Sequence, residues 1–173
     1  MSAPGPADRA AQRALVERFA REHPASVLHD AASSTLLDVA SGKALPLDWT
    51  RVAAVEERLD RQTRRPYLAI RRDDGVELAL ADAGIAFAPV TAATGPLDGL
   101  PGAVTFRDLA AAEGRLAHAL HEHPDEPPDR GHVALLLFCL ALVDGARAAG
   151  FEVSAEERRL ERLLGELEAR RRA

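Results

Sequence analysis

Residues 65–89 read RPYLAIRRDDGVELALADAGIAFAP, and their reading decides the fold. Two β-capable runs flank Asp73-Asp74-Gly75, and apolar residues alternate along both. The register follows from the side chains. A two-residue Asp74-Gly75 loop sets Arg71 opposite Leu78 and mixes charge with core on one face. A three-residue loop, Asp73 to Gly75, pairs Ile70 with Leu78 and Leu68 with Leu80, and sets Arg71 opposite Glu77 on the other face. Gly75 then takes the left-handed position that such a loop requires. The next four residues, Ala81 to Gly84, permit another turn. Residues 85–89 become a third meander strand, with Ile85 and Phe87 facing the core.

Upstream, a helix is expected from about Asp8 to before Pro24, with Leu15 and Phe19 on one face. Residues 35–47 are ambiguous, because Leu36 and Val39 are also spaced as on a helix; the preferred reading is a hairpin turning at Ser41-Gly42, with Pro46 near the end of an edge strand. Residues 49–63 read as a helix capped by Asp48, because Trp49, Val52, Val55 and Leu59 form a stripe at helical spacing. Downstream, three prolines and three glycines between Pro89 and Gly102 mark a linker or long loop. Three helices follow. The first is capped by Thr105, with Phe106, Leu109, Leu116 and Leu120 on one side. The second runs from about Gly131 to Ala149 and stops at Gly150. The third opens at Ser154, with Glu157 completing a capping box.

The expected class is α+β: a small antiparallel sheet of hairpins or a meander with flanking helices, followed by a three-helix unit. The expected divisions are a tail over 1–7, an α+β part over 8–88, the linker over 89–104 and a helical part over 105–173. A chain of 173 residues suits one domain, or two small subdomains sharing a core. A net charge of −5 argues against general attraction to nucleic acid or anionic lipid. One cysteine, Cys139, allows no internal disulfide. The longest apolar run, Val133 to Val143, is far shorter than the roughly 20 residues that span a bilayer, so no membrane insertion is expected. Cytoplasmic placement follows as an expectation.

Two clusters carry candidate chemistry. Residues 118–132, HALHEHPDEPPDRGH, hold four of the six histidines. His118 and His121, three apart on a helix, could share a metal with His123 or His132, which would make a metal-dependent enzyme. The spacing does not compel this, and no zincin motif is present. A solvated helix end followed by a proline-rich turn is the simpler reading. Residues 51–72 hold seven arginines and three acids, whereas residues 73–104 hold five acids and no base. A helix followed by a basic hairpin is also the element order of winged-helix DNA-binding domains. Residues 49–72 therefore carry an alternative reading as a DNA-binding regulator, opposed by the acidic loop tip at Asp73-Asp74. Phosphate-binding loops and nucleophile elbows are missing from the sequence.

The reading favoured here is a non-enzymatic cytoplasmic adaptor or chaperone-like module that binds another protein and needs no cofactor. Arg58, Arg61, Arg64 and Arg65 are the expected partner-binding edge, with nucleic acid an unlikely partner. The segment HVALLLFCLALV, residues 132–143, is apolar around most of a helix, so a homodimer is expected through Leu135, Phe138, Leu142, Leu160, Leu164 and Leu167.

Overall fold

The hairpin that opened the sequence reading forms with the expected register. In the computed structural model, which describes residues 5–88, 104–122, 124 and 126–172, Ile70 pairs with Leu78, Leu68 with Leu80 and Arg71 with Glu77. Gly75 adopts φ +85° in the turn. A helix, α1 (Pro6–Glu22), starts the described chain. It begins two residues earlier than expected, because Pro6 suits the first helical turn and the Asp8 carboxylate accepts the Gly5 N–H at 3.0 Å.

Two antiparallel sheets follow. The first has three strands, β1 (Val27–Asp30), β2 (Thr35–Asp38) and β3 (Ala44–Pro46), in that order. Its β2–β3 hairpin turns through Ser41 and Gly42, and Pro46 ends the edge strand β3, as the sequence suggested. The second is a meander of β4 (Val52–Leu59), β5 (Pro66–Arg72), β6 (Glu77–Ala81) and β7 (Gly84–Phe87). Ile85 and Phe87 on β7 are buried.

Strand β4 overturns the helix expected over 49–63. The cause is a bulge. Val52 pairs with Arg72 but Ala54 pairs with Arg71, so Ala53 is an extra residue in the ladder. A bulge reverses the alternation of faces. Val52 and Val55, an odd number of residues apart, are therefore both buried and reproduce a helical period on a strand. Asp48 is not a helix cap. Its carboxylate accepts the Thr50 N–H at 2.9 Å and the Thr50 hydroxyl at 2.6 Å in a tight turn.

The helical part comprises α2 (Phe106–Glu122), α3 (Arg130–Ala149) and α4 (Ser154–Arg172). Phe106, Leu109, Leu116 and Leu120 all lie in the core. At the start of α2 the Asp108 carboxylate accepts both the N–H and the hydroxyl of Thr105. Gly150 ends α3 in the left-handed conformation, φ +109°, and its N–H bonds the Ala146 and Arg147 carbonyls. The capping box expected at Ser154 is replaced by another arrangement. Ser154 is already helical, and its N–H donates to Glu152 Oε1 at 2.8 Å.

One core serves both parts. Phe106 of α2 meets Phe87 of β7 and Phe151, between α3 and α4, edge to face, and Phe87 and Phe151 are tilted to each other, with centroids 4.9 to 5.9 Å apart. Val104 pairs with Phe87 in a short antiparallel bridge. Of the expected tail over 1–7, Gly5 caps α1 and Pro6 and Ala7 open it, while residues 1–4, like most of the expected linker, 89–103, lie outside the described residues.

Asp38 joins the two sheets. It is 1% exposed at the end of β2. One carboxylate oxygen accepts the Ile85 N–H of β7 at 2.7 Å, and the other accepts the N–H and hydroxyl of Ser41, each at 2.8 Å. Gly84, at φ +113°, lies so close that a Cβ there would stand 2.3 Å from Asp38 Oδ2.

Candidate functional site

The basic edge expected from sequence occupies the tip of the β4–β5 hairpin. Strand pairing ends at Leu59 and Pro66. The Asp60 N–H then bonds the Arg65 carbonyl, and the Arg64 N–H bonds the Asp60 carbonyl, both at 2.9 Å. The Asp60 carboxylate secures the loop by accepting the N–H groups of Gln62 and Thr63. The Thr63 bond above all holds the pKa of Asp60 below the usual carboxylate range. Arg64 sits at φ +58°, a left-handed conformation that costs an L-residue roughly 1–2 kcal/mol relative to glycine-like freedom.

The four arginines separate into two pairs. Arg58 lies on the sheet between Glu56 and Glu77, each 2.9 Å from its guanidinium, and its pKa is raised, chiefly by the Glu56 bond. Arg65 pairs with Asp82 at 3.0 Å. Arg61 and Arg64 are exposed and have no ion-pair partner among the described residues. Leu59 beside them is 55% exposed. The tip thus presents two cations without a counter-charge among the described residues and one aliphatic side chain on a hydrogen-bonded hairpin loop. The helix required by a winged-helix order is absent here, because residues 52–59 are a strand.

The histidines do not assemble. His118 and His121 are exposed on α2, and His118 Nε2 meets Glu122 at 3.1 Å. His132 belongs to the start of α3, where Asp129 accepts its N–H at 2.9 Å and contacts its ring nitrogen at 2.6 Å. That backbone bond is the main cause of a lowered pKa at Asp129. His123 lies outside the described residues. Among the described residues no three metal-ligating side chains come together.

A charged chain not read from the sequence crosses the fold between the β2–β3 turn and the helices. Lys43, the only lysine, bonds the buried Glu156 at 2.8 Å and the Glu152 carbonyl at 3.0 Å, and lies over the Phe106 ring. Arg159 bridges Glu156 to Glu113. Burial would raise the pKa of Glu156, yet the bonds from Lys43 and Arg159 leave it lowered overall. The single lysine in an arginine-rich chain was the available signal. A groove of about 510 Å³ borders this chain between Ser41, Phe106, Leu109 and Arg159. Lys43, Glu156, Arg159 and Glu113 neutralise one another there, Arg107 lies exposed on its rim, and the Ser41 hydroxyl is held by Asp38. Cys139 is sealed in the core, and burial, with help from Glu113, pushes its thiol up to about 12.

The helical residues expected at a dimer contact also divide. Leu142, Leu160 and Leu167 are buried within the chain, and Leu135 and Phe138 are partly buried against the same core. Leu164 is 41% exposed. The apolar surface left open on α3 consists instead of Val133, Leu137 and Leu140, exposed by 44%, 41% and 39%. The sequence of α3 is apolar around most of the helix, so its covered and open faces are alike in composition. Among the described residues α3 alone has the length and composition to cross a bilayer, but its Cys139, Leu142 and Ala146 face builds the core.

The chain matches no known family model, no curated protein and no solved structure.

Proposed function

We propose that the protein is a non-enzymatic cytoplasmic adaptor or chaperone-like module that holds another protein at the β4–β5 hairpin tip. The observation that carries this reading is the state of Arg61 and Arg64. Both are exposed and lack a counter-charge among the described residues, although acids surround their neighbours. Arg64 occupies a left-handed position where glycine would be less strained. Strain kept at an exposed charged residue points to a use for that side chain. Two cations beside an exposed Leu59 suit a partner surface with an acidic residue near an apolar one. A phosphate track is less well served, because Asp60 lies in the tip and Asp82 reaches it through Arg65.

Support for a binding rather than a catalytic role comes from the interior. Glu156, Glu113, Lys43 and Arg159 neutralise one another, and Cys139 is inaccessible. The test compares affinity capture by the native chain and by R61E/R64E, followed by mass spectrometry. A protein enriched by the native chain and lost with the variant is expected. Duplex DNA binding at near-physiological salt, steeply salt-dependent and lost on the same charge reversal, would overturn the proposal.

A further inference from the structure

We propose that the open face of α3 is occupied by a second copy of this chain, with the two α3 helices antiparallel about a two-fold axis at Leu137. Residues 130, 133, 137, 140, 144 and 147 follow a 3-4-3-4-3 spacing. At about 100° per residue they share one arc, opposite the face formed by Cys139, Leu142, Val143 and Ala146. The centre of this arc is apolar: Val133, Leu137 and Leu140. Its ends are charged, with Arg130 before the apolar stretch and Asp144 and Arg147 after it, Arg147 being balanced by Glu157 of α4.

Those ends select the occupant and its direction. Arg130 and Asp144 each lie seven residues from Leu137. In an antiparallel pair centred there, Arg130 faces the partner's Asp144 and Asp144 faces the partner's Arg130. With a rise of about 1.5 Å per residue, the two ion pairs stand about 10 Å on either side of the axis and frame the leucines. A parallel pair would set arginine against arginine and aspartate against aspartate. Arg130 is exposed and unpartnered among the described residues, and Asp144 is half-exposed, held only by Arg147 of its own helix. A surface complementary to itself under a two-fold rotation is the requirement of an isologous dimer. Three apolar side chains and two ion pairs make a narrow contact, of the weak and transient class, with a dissociation constant expected on the order of micromolar. This inference is independent of the hairpin tip.

Sedimentation velocity of the full chain from about 1 to 100 µM tests it, a range that brackets such an affinity. Wild type should pass from monomer to dimer across the range. L137D/L140D should remain monomeric with an unchanged circular dichroism spectrum, since both leucines are exposed. D144R alone should weaken the dimer about tenfold or more, and R130D/D144R should restore it, because each reversed charge again meets its opposite. Wild type that stays monomeric throughout overturns the proposal. So does a dimer insensitive to L137D/L140D, or a double reversal that does not recover. A monomer that instead binds anionic phospholipid vesicles through Leu137 and Leu140 assigns the face to a membrane surface and equally overturns it.

Discussion

Replacing Asp38 with alanine should destabilise the protein by about 3 kcal/mol. The estimate comes from what the carboxylate leaves behind. Ile85 sits on the outer strand of the meander at 0% exposure, and its N–H points to Asp38 at 2.7 Å, away from β6. Stranding a buried donor that had bonded a charged group costs about 1.5–3 kcal/mol. The Ser41 donors are near solvent and can bind water, so they add about 1 kcal/mol or less. For a domain of this size, a loss of 1 kcal/mol lowers the melting temperature by roughly 2–4 °C, so the total drop should be about 6–12 °C. Urea unfolding followed by the single, buried Trp49 reads the loss directly. Asp38→Asn should fall between, because one amide N–H must then face a donor. Gly84→Ala should be at least as damaging, since its Cβ would meet Asp38 Oδ2 at 2.3 Å while holding φ +113°. In the double variant the steric part disappears and the backbone part remains, so the two losses should not add. A loss under about 1 kcal/mol for Asp38→Ala would refute the role of this carboxylate in joining the sheets.

Three further outcomes are expected. Arg64→Gly should raise stability by about 0.5–1 kcal/mol in a urea titration, by relieving the left-handed backbone, while weakening partner capture; a destabilised variant would contradict this. Glu156 has a lowered folded pKa, so its stabilising effect is present above its unfolded pKa near 4.5 and is lost as pH falls through the lower folded value. Glu156→Gln should therefore flatten that acid limb of a melting-temperature series, and an unchanged slope would count against the Lys43–Glu156–Arg159 chain. Cys139, raised to about 12 and buried, should resist alkylation at pH 8 until the protein unfolds; rapid labelling of the native state would contradict its burial.

Turn chemistry made the hairpins legible. Ser41-Gly42 and Asp73-Asp74-Gly75 fix their loops, and the cost of placing Arg71 against Leu78 fixes the register locally. The same local reasoning failed at β4, because one extra residue, Ala53, gave Val52 and Val55 a shared face and imitated a helix. Residues such as Ala54, Glu56 and Glu57 add helical preference, which pairing with β5 overrides. Strand β1 is hard to read because Val27–Asp30 is only four residues long with His29 and Asp30 among them, although Asp30 and Ser33 form the turn that follows. Long-range links were invisible for another reason. Lys43 and Glu156 are 113 positions apart, and nothing in either neighbourhood names the other. The arginine cluster was visible as a charge count. Which members stay free depended on Glu77 and Asp82, 19 and 17 residues from Arg58 and Arg65. On α3, composition revealed the excess of apolar surface but not that Leu142 is covered while Leu137 is open.

The claim that the hairpin tip grips another protein is tested most directly by placing a photo-reactive amino acid at Gln62. That residue is exposed between Arg61 and Arg64, and only its backbone N–H serves the loop. The same group at Glu168, exposed on α4, is the control. Irradiation in the native cell should give a discrete covalent adduct from position 62, identified by mass spectrometry as one protein and absent from position 168. Adducts to nucleic acid, or no adduct beyond the control, would contradict the account.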